Sequence, residues 1–112
     1  MEMEKLEEGL KQFYGTEHYY KHLSGFVYTD GVKYLAENAK CYWLLDEILF
    51  SGKTEPFQVW KLKKFGTQAR LTMQEDSNTP FLINKLIEFT DFPLGEISLW
   101  FIDGVLILPS EY

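Results

Sequence analysis

A single cysteine in 112 residues leaves this chain no intramolecular disulfide framework. That usage fits a reducing compartment, and the expected location is the cytoplasm. No apolar run approaches the ~18 residues of a membrane span, so no membrane role is expected. No charged-then-apolar leader opens the chain, so no secretory signal is expected either. Glycines stand scattered at Gly15, Gly25, Gly31, Gly52, Gly66, Gly95 and Gly104, with neither G-x-G-x-x-G nor P-loop spacing. G-x-S-x-G is missing as well. Nucleotide, dinucleotide and serine-hydrolase chemistry therefore have no motif behind them, and no cofactor is expected. Bases are in the minority, eleven against seventeen acids, for a net charge of −6. A surface of that sign repels phosphate backbones and sets the balance against nucleic acid.

What the chain does have is apolar material. Hydrophobic residues make 46% of it and aromatics 17%, which excludes intrinsic disorder and supplies one core. The length fits one domain, residues 1–112. Its charge is uneven. Between Phe57 and Gln74 stand Lys61, Lys63, Lys64 and Arg70 with no acid, whereas Glu75 to Tyr112 is acidic apart from Lys85. Glu2, Glu4, Glu7 and Glu8 form a second acidic cluster.

Leu6, Leu10, Phe13 and Tyr14 recur at helical spacing and predict a helix over Glu2 to Tyr14, with acids in its first turns where the dipole favours them. Thr16 to Thr29 is aromatic and β-branched and reads as an extended strand, with a break at Ser24-Gly25. Thr29 or Asp30 then caps a helix carrying Val32, Leu35, Ala36 and Ala39. The competing reading makes Asp30-Gly31 a hairpin turn, but the helix formers that follow favour the helix. A further helix covers Tyr42 to Phe50, with Leu44, Leu45 and Ile48 inward. Phe57 to Phe65 and Gln68 to Gln74 read as strands, the second alternating cleanly. Pro80 to Phe89 has a helix-like start but puts Phe81, Ile83, Ile87 and Phe89 on one strand face, and the strand is preferred.

Ile97 to Leu108 reads as a hairpin around Asp103-Gly104, a type I′ turn pair. That turn sets Trp100 opposite Ile107, Phe101 opposite Leu106 and Ile102 opposite Val105. Both faces of this hairpin are then apolar, so both are expected to be covered. Helices supply one cover. The other calls for the N-terminal segment, a curled sheet or a second copy, and the preferred reading is a homodimer joined through a sheet face or edge. The fold class expected is α+β: an antiparallel sheet of four or five strands with two or three helices from the N-terminal half.

Five stretches stand in order: Gly15-Thr16-Glu17 with Tyr19, Tyr20 and His22; Tyr28 to Glu37; Tyr42 to Ile48; Thr90 to Leu94; and Leu108-Pro109-Ser110-Glu111-Tyr112. Together they resemble a family of small uncharacterised bacterial proteins found in cyanobacteria and on mobile elements. The resemblance spans nearly the whole chain. It implies a single bacterial cytoplasmic domain and carries over no activity, cofactor or catalytic residue.

The chemistry has to be weighed from the residues themselves. His18 and His22 stand four apart and with Asp30, Glu17 or Asp46 could hold a metal, which makes a small metal-dependent enzyme the alternative reading. The glutamate precedes the first histidine, so H-E-x-x-H is absent, and hydrogen-bonded or surface histidines are the preferred account of the pair. Cys41, between Ala39 and Trp43, reads as a packed thiol before it reads as a nucleophile. Asp46 and Glu47 read first as a solvated helix face. Lys61, Lys63 and Arg70 interleave with Phe57, Trp60 and Phe65, a pattern that single-stranded nucleic acid uses, though an ordinary charged sheet face is the simpler account. The preferred function is a non-enzymatic, inhibitor- or immunity-like protein. It would steer a basic protein partner with its acidic charge and hold it on an aromatic patch of Tyr19, Tyr20, Trp43 and Asp46.

Overall fold

The computed structural model describes residues 3–76 and 78–112. Among these residues there are three helices: α1 (Met3–Leu10), α2 (Asp30–Asn38) and α3 (Tyr42–Leu49). Two short strands, β1 (Tyr19–Lys21) and β2 (Val27–Thr29), lie between α1 and α2. Then follow β3 (Phe57–Phe65), β4 (Gln68–Gln74), β5 (Ile83–Ile87), β6 (Glu96–Ile102), β7 (Val105–Ile107) and a closing 3-10 turn, Pro109–Glu111. The class is α+β, as expected.

The sheet is larger than the sequence predicts. It has seven strands in the order β1-β2-β7-β6-β3-β4-β5, and it is mixed, because β2 runs parallel to β7. The expected long strand over Thr16 to Thr29 is a hairpin instead. His22 N–H bonds to the Phe26 carbonyl and Gly25 N–H to the His22 carbonyl, which reverses the chain at the Ser24-Gly25 break. Two three-residue strands are too short to show a period, so only the pairing reveals them. The Asp103-Gly104 turn has positive φ at both positions and gives the register read from sequence, Trp100 with Ile107 through Ile102 with Val105. Ile83–Ile87 is a strand on β4, as preferred. Helix α1 stops at Leu10, and i→i+3 bonds from Gln12 to Gly9 and Phe13 to Leu10 tighten the chain beyond it. Glu2, where that helix was expected to begin, lies outside the described residues.

Helix α2 starts as its sequence dictates. Thr29 is the N-cap, and its Oγ1 accepts the Val32 N–H at 3.3 Å. Val32, Leu35 and Ala36 then face the sheet, as do Leu44, Leu45, Ile48 and Leu49 of α3. On the sheet they meet Trp60, Leu62, Leu71, Met73, Leu99, Phe101 and Leu106. Strand alternation puts all of these on one face. Phe92 and Leu94, in the loop before β6, complete the same core. Among the described residues, no helix is long and apolar enough to cross a membrane.

The opposite face of the sheet is open. Along it the register aligns Val27, Val105, Ile107, Ile102, Trp100, Phe57 and Val59, then Lys61, Lys63, Thr72, Arg70 and Leu86. The first group is half-buried, shielded in part by its own neighbours and by Tyr112, whose ring meets Trp100 edge-on at 5.6 Å. The two faces of the β6–β7 hairpin therefore differ: Leu99, Phe101, Leu106 and Leu108 are buried under helices, whereas Trp100, Ile102, Val105 and Ile107 keep some exposure.

Candidate functional site

The two histidines sit at the two ends of β1. A strand rises about 3.3 Å per residue, so four residues separate them by about 13 Å, too far for one metal ion. Each instead has its own carboxylate. His18 donates its backbone N–H to Asp30 Oδ2 at 3.0 Å and sets its ring Nδ1 at 3.5 Å from the same oxygen. His22 Nε2 lies 2.7 Å from Asp46 Oδ1. Among the described residues no group of three or more His, Cys, Asp or Glu side chains could hold a metal.

His22 also contacts Ser24. Its Nδ1 accepts the Ser24 backbone N–H at 3.0 Å and lies 2.8 Å from Ser24 Oγ. Because Nδ1 accepts from the backbone, the proton of the neutral ring sits on Nε2 and points at Asp46. This is a Ser–His–Asp chain in connectivity. The Ser24 and Gly25 N–H groups are both spent inside the turn, so neither is free to serve as an oxyanion donor. The arrangement ties the tip of the β1–β2 hairpin to α3. Leu23, at the tip, is 95% exposed.

The residues expected to form one aromatic-acidic patch do not come together. Tyr19 and Tyr20 are neighbours on a strand and point to opposite faces. Tyr19 lies on the open face and is exposed. Tyr20 turns toward α2, stacks on Tyr28 at 5.7 Å, lies under the Lys33 ammonium at 4.3 Å and donates to Asp30 Oδ1 at 2.8 Å. That donation to a carboxylate raises the Tyr20 pKa. For Asp30, desolvation works against the charge, but the Tyr20 hydroxyl and the His18 N–H outweigh it and the pKa is lowered. Trp43 is packed against the core from α3, and Asp46 is held by His22. Two further acids, on α2 and α3, are paired too: Glu37 with Lys33 at 3.6 Å and Glu47 with Lys85 at 2.7 Å. Cys41 is fully buried, and burial pushes its thiol up to about 12.

Sequence reasoning missed the most highly connected carboxylate. Glu111 is buried at the start of α2 and accepts four hydrogen bonds. They come from Thr29 Oγ1 at 2.6 Å, Leu108 N at 3.0 Å, Gly31 N at 3.1 Å and Thr16 Oγ1 at 3.1 Å. Three of the stretches that carried the family resemblance, around Thr16, Thr29 to Gly31 and Leu108 to Glu111, thus meet at one point. A fourth, Thr90 to Leu94, plugs the core with Phe92 and offers its carbonyl to Lys64 Nζ at 2.7 Å.

The chain belongs to DUF6876, a family of unknown function. The family model matches residues 4–112, essentially the whole fold. No curated protein and no solved structure matches the chain. The stretches that marked the resemblance have structural work: three build the Glu111 junction, and Tyr42 to Ile48 and Thr90 to Leu94 contribute to the core.

The surface left without a structural task is the open face of the sheet, and it has two halves. Around Trp100 and Ile107 it is apolar and uncharged. Toward β4 and β5 it carries Lys61, Lys63 and Arg70, with Phe65 and Phe81 exposed beside them and Glu96 as the acid among them. The alternation that puts Lys61 and Lys63 here sends Lys64 and Trp60 to the core side, so the run of bases read from sequence divides between two faces.

Proposed function

We propose that the protein is a non-catalytic binding domain that works as a homodimer, joined through the apolar half of its open sheet face. One observation carries this: Val27, Phe57, Val59, Trp100, Ile102, Val105 and Ile107 form a continuous uncharged surface where a solvated sheet face has polar residues. A second copy is the occupant that suits it. In a two-fold contact the patch meets itself, apolar on apolar, with no like charges opposed. The two faces would pack about 10 Å apart with interdigitated side chains. A strongly charged partner would find nothing there to pair with. The inhibitor-like alternative, an acidic surface steering a basic protein, draws less support because Asp30, Glu37, Asp46 and Glu47 are each engaged within the chain.

Sedimentation velocity from low to high micromolar concentration tests the reading. The wild type is expected as a dimer. Trp100→Glu places a charge at the centre of the patch and is expected to sediment as a monomer with an unchanged far-ultraviolet circular dichroism spectrum. A wild type that stays monomeric at high micromolar concentration would overturn it.

A further inference from the structure

We infer that the basic end of the open sheet face is a binding site for single-stranded nucleic acid, with Lys61, Lys63 and Arg70 on phosphates and Phe65 and Phe81 as stacking platforms for bases. Net acidity argues against nucleic acid only when charge is averaged over the whole surface. Here charge is segregated. Beyond the apolar half, the strand positions on the open face hold Lys61, Lys63 and Arg70 against Glu96, in a chain with eleven bases and seventeen acids. The helices carry many of the acids instead: Glu4, Glu7 and Glu8 on α1, Asp30 and Glu37 on α2, and Asp46 and Glu47 on α3.

The geometry suits a strand of nucleotides. Lys61 and Lys63 are two apart on β3 and project from the same face about 6.6 Å from one another. Arg70 stands directly across from Lys63 on β4, and Thr72 across from Lys61. Together with Phe65, Phe81 and Glu96 they line a shallow groove of about 290 Å³. Phe65 is 57% exposed and Phe81 54% exposed, so both side chains are open to solvent. Of the three bases, Lys61 is shared with Glu96 at 3.3 Å and Arg70 with Asn84 at 2.9 Å. The Lys63 side chain has no hydrogen-bond or ion-pair partner among the described residues and is the cation left over. A broad sheet face with projecting rings fits unstacked bases, not the grooves of a duplex. The inference does not depend on dimerisation, because the groove lies beyond the apolar half.

Fluorescence anisotropy with a labelled twelve-nucleotide oligothymidine, the same length of oligouridine and a matched duplex reads the site directly. Binding to the single strands over the duplex is expected. With three phosphates engaged, affinity should fall about 20-fold between 50 and 200 mM salt. Phe65→Ala and Phe81→Ala should each weaken binding by about 5-fold or more with an unchanged salt slope. Lys63→Ala should reduce the slope by about 0.7, and Glu96→Gln should tighten binding. All four positions are on the surface, and circular dichroism verifies that each variant folds. Absence of binding at 50 mM salt would overturn the inference. So would equal affinity for polyglutamate with no effect of the two phenylalanine variants, which would identify a site for any polyanion. Measuring Trp100→Glu alongside separates the two readings, since loss of the dimer alone leaves the groove intact.

Discussion

The Glu111 carboxylate accepts the Gly31 N–H at 3.1 Å across 80 residues of chain. A Cβ on Gly31 would stand 2.6 Å from Glu111 Oε1 and from Leu108 Cδ1, so the contact exists only because that residue is glycine. The carboxylate sits where the first turn of α2 leaves backbone donors unsatisfied, and its charge complements the helix dipole there. One side chain near the end of the chain thereby locks the first turn of α2, the loop after α1 and the end of β7.

Removing this carboxylate strands buried donors. Glu111→Ala leaves the Thr29 hydroxyl and the Gly31 and Leu108 N–H groups without it, and each buried unsatisfied group costs roughly 1–3 kcal/mol. A total loss of about 3 kcal/mol is expected, a large part of the ~5–15 kcal/mol typical of a domain. Gly31→Ala should cost a comparable amount by forcing the carboxylate away. Glu111→Gln, which keeps the shape but turns a donor toward donors, should fall between wild type and Glu111→Ala. Urea denaturation midpoints measure all three. Midpoints within 0.3 M of wild type for both Glu111→Ala and Gly31→Ala would show that the junction is not a keystone.

Cys41 is predicted to be inert in the folded protein. Its pKa, raised by burial from 9.0 to about 12, lowers the thiolate fraction at pH 8 about a thousandfold. Reaction with a disulfide reagent at pH 8 should therefore follow global unfolding and become immediate in urea. The raised pKa means that the neutral thiol stabilises the fold below pH 9 and that this contribution is lost as pH rises toward 12. A fast stoichiometric reaction in native buffer would contradict the packing around α3.

Much of the fold was legible because local signals were strong. Asp103-Gly104 dictates a turn type, and the turn dictates the register on both strands. Thr29 was readable as a cap because the orphan amides of a helix start call for such an oxygen. The β1–β2 hairpin and its parallel pairing to β7 were not legible, since three-residue strands carry no periodicity and parallel pairing joins distant segments. Glu111 was invisible for the same reason: a contact over 80 residues leaves no local trace. For the candidate site, sequence spacing found His18 and His22, with Asp30 or Asp46 among the third ligands offered, but joined the two histidines on one metal. The extended backbone of β1 holds the histidines apart and gives each its own aspartate. The basic–aromatic run was seen too, yet only the alternation of β3 shows which members share a face, and Phe81 joins them from a separate loop.

Asp30 makes the fold sensitive to acid. Its pKa is lowered in the folded state, so its contribution is present above the ordinary carboxylate value near 3.8 and is lost as pH falls through the lower folded value. The partners lost with it are the Tyr20 hydroxyl and the His18 N–H. Asp30→Asn should therefore flatten the decline of thermal midpoint below pH 4 relative to wild type while costing stability at pH 7. A pH profile parallel to wild type throughout would remove Asp30 as a contributor.

The His22–Asp46 pair should control opening of the β1–β2 hairpin. His22 is shielded against Phe50, with ring centroids 4.9 Å apart, whereas Asp46 is largely exposed, so solvent screens the pair and it is worth on the order of 1 kcal/mol or less. That amount is still a factor of about 5 in a local opening equilibrium. The exposed Leu23 at the tip is a chymotrypsin site, and cleavage there tracks the open population when reclosing is fast. His22→Ala and Asp46→Ala should each speed cleavage after Leu23 severalfold, the double variant should add little, and the global urea midpoint should move only slightly. Additive acceleration by the two variants would mean that they act separately and that the hairpin is not tethered through this pair.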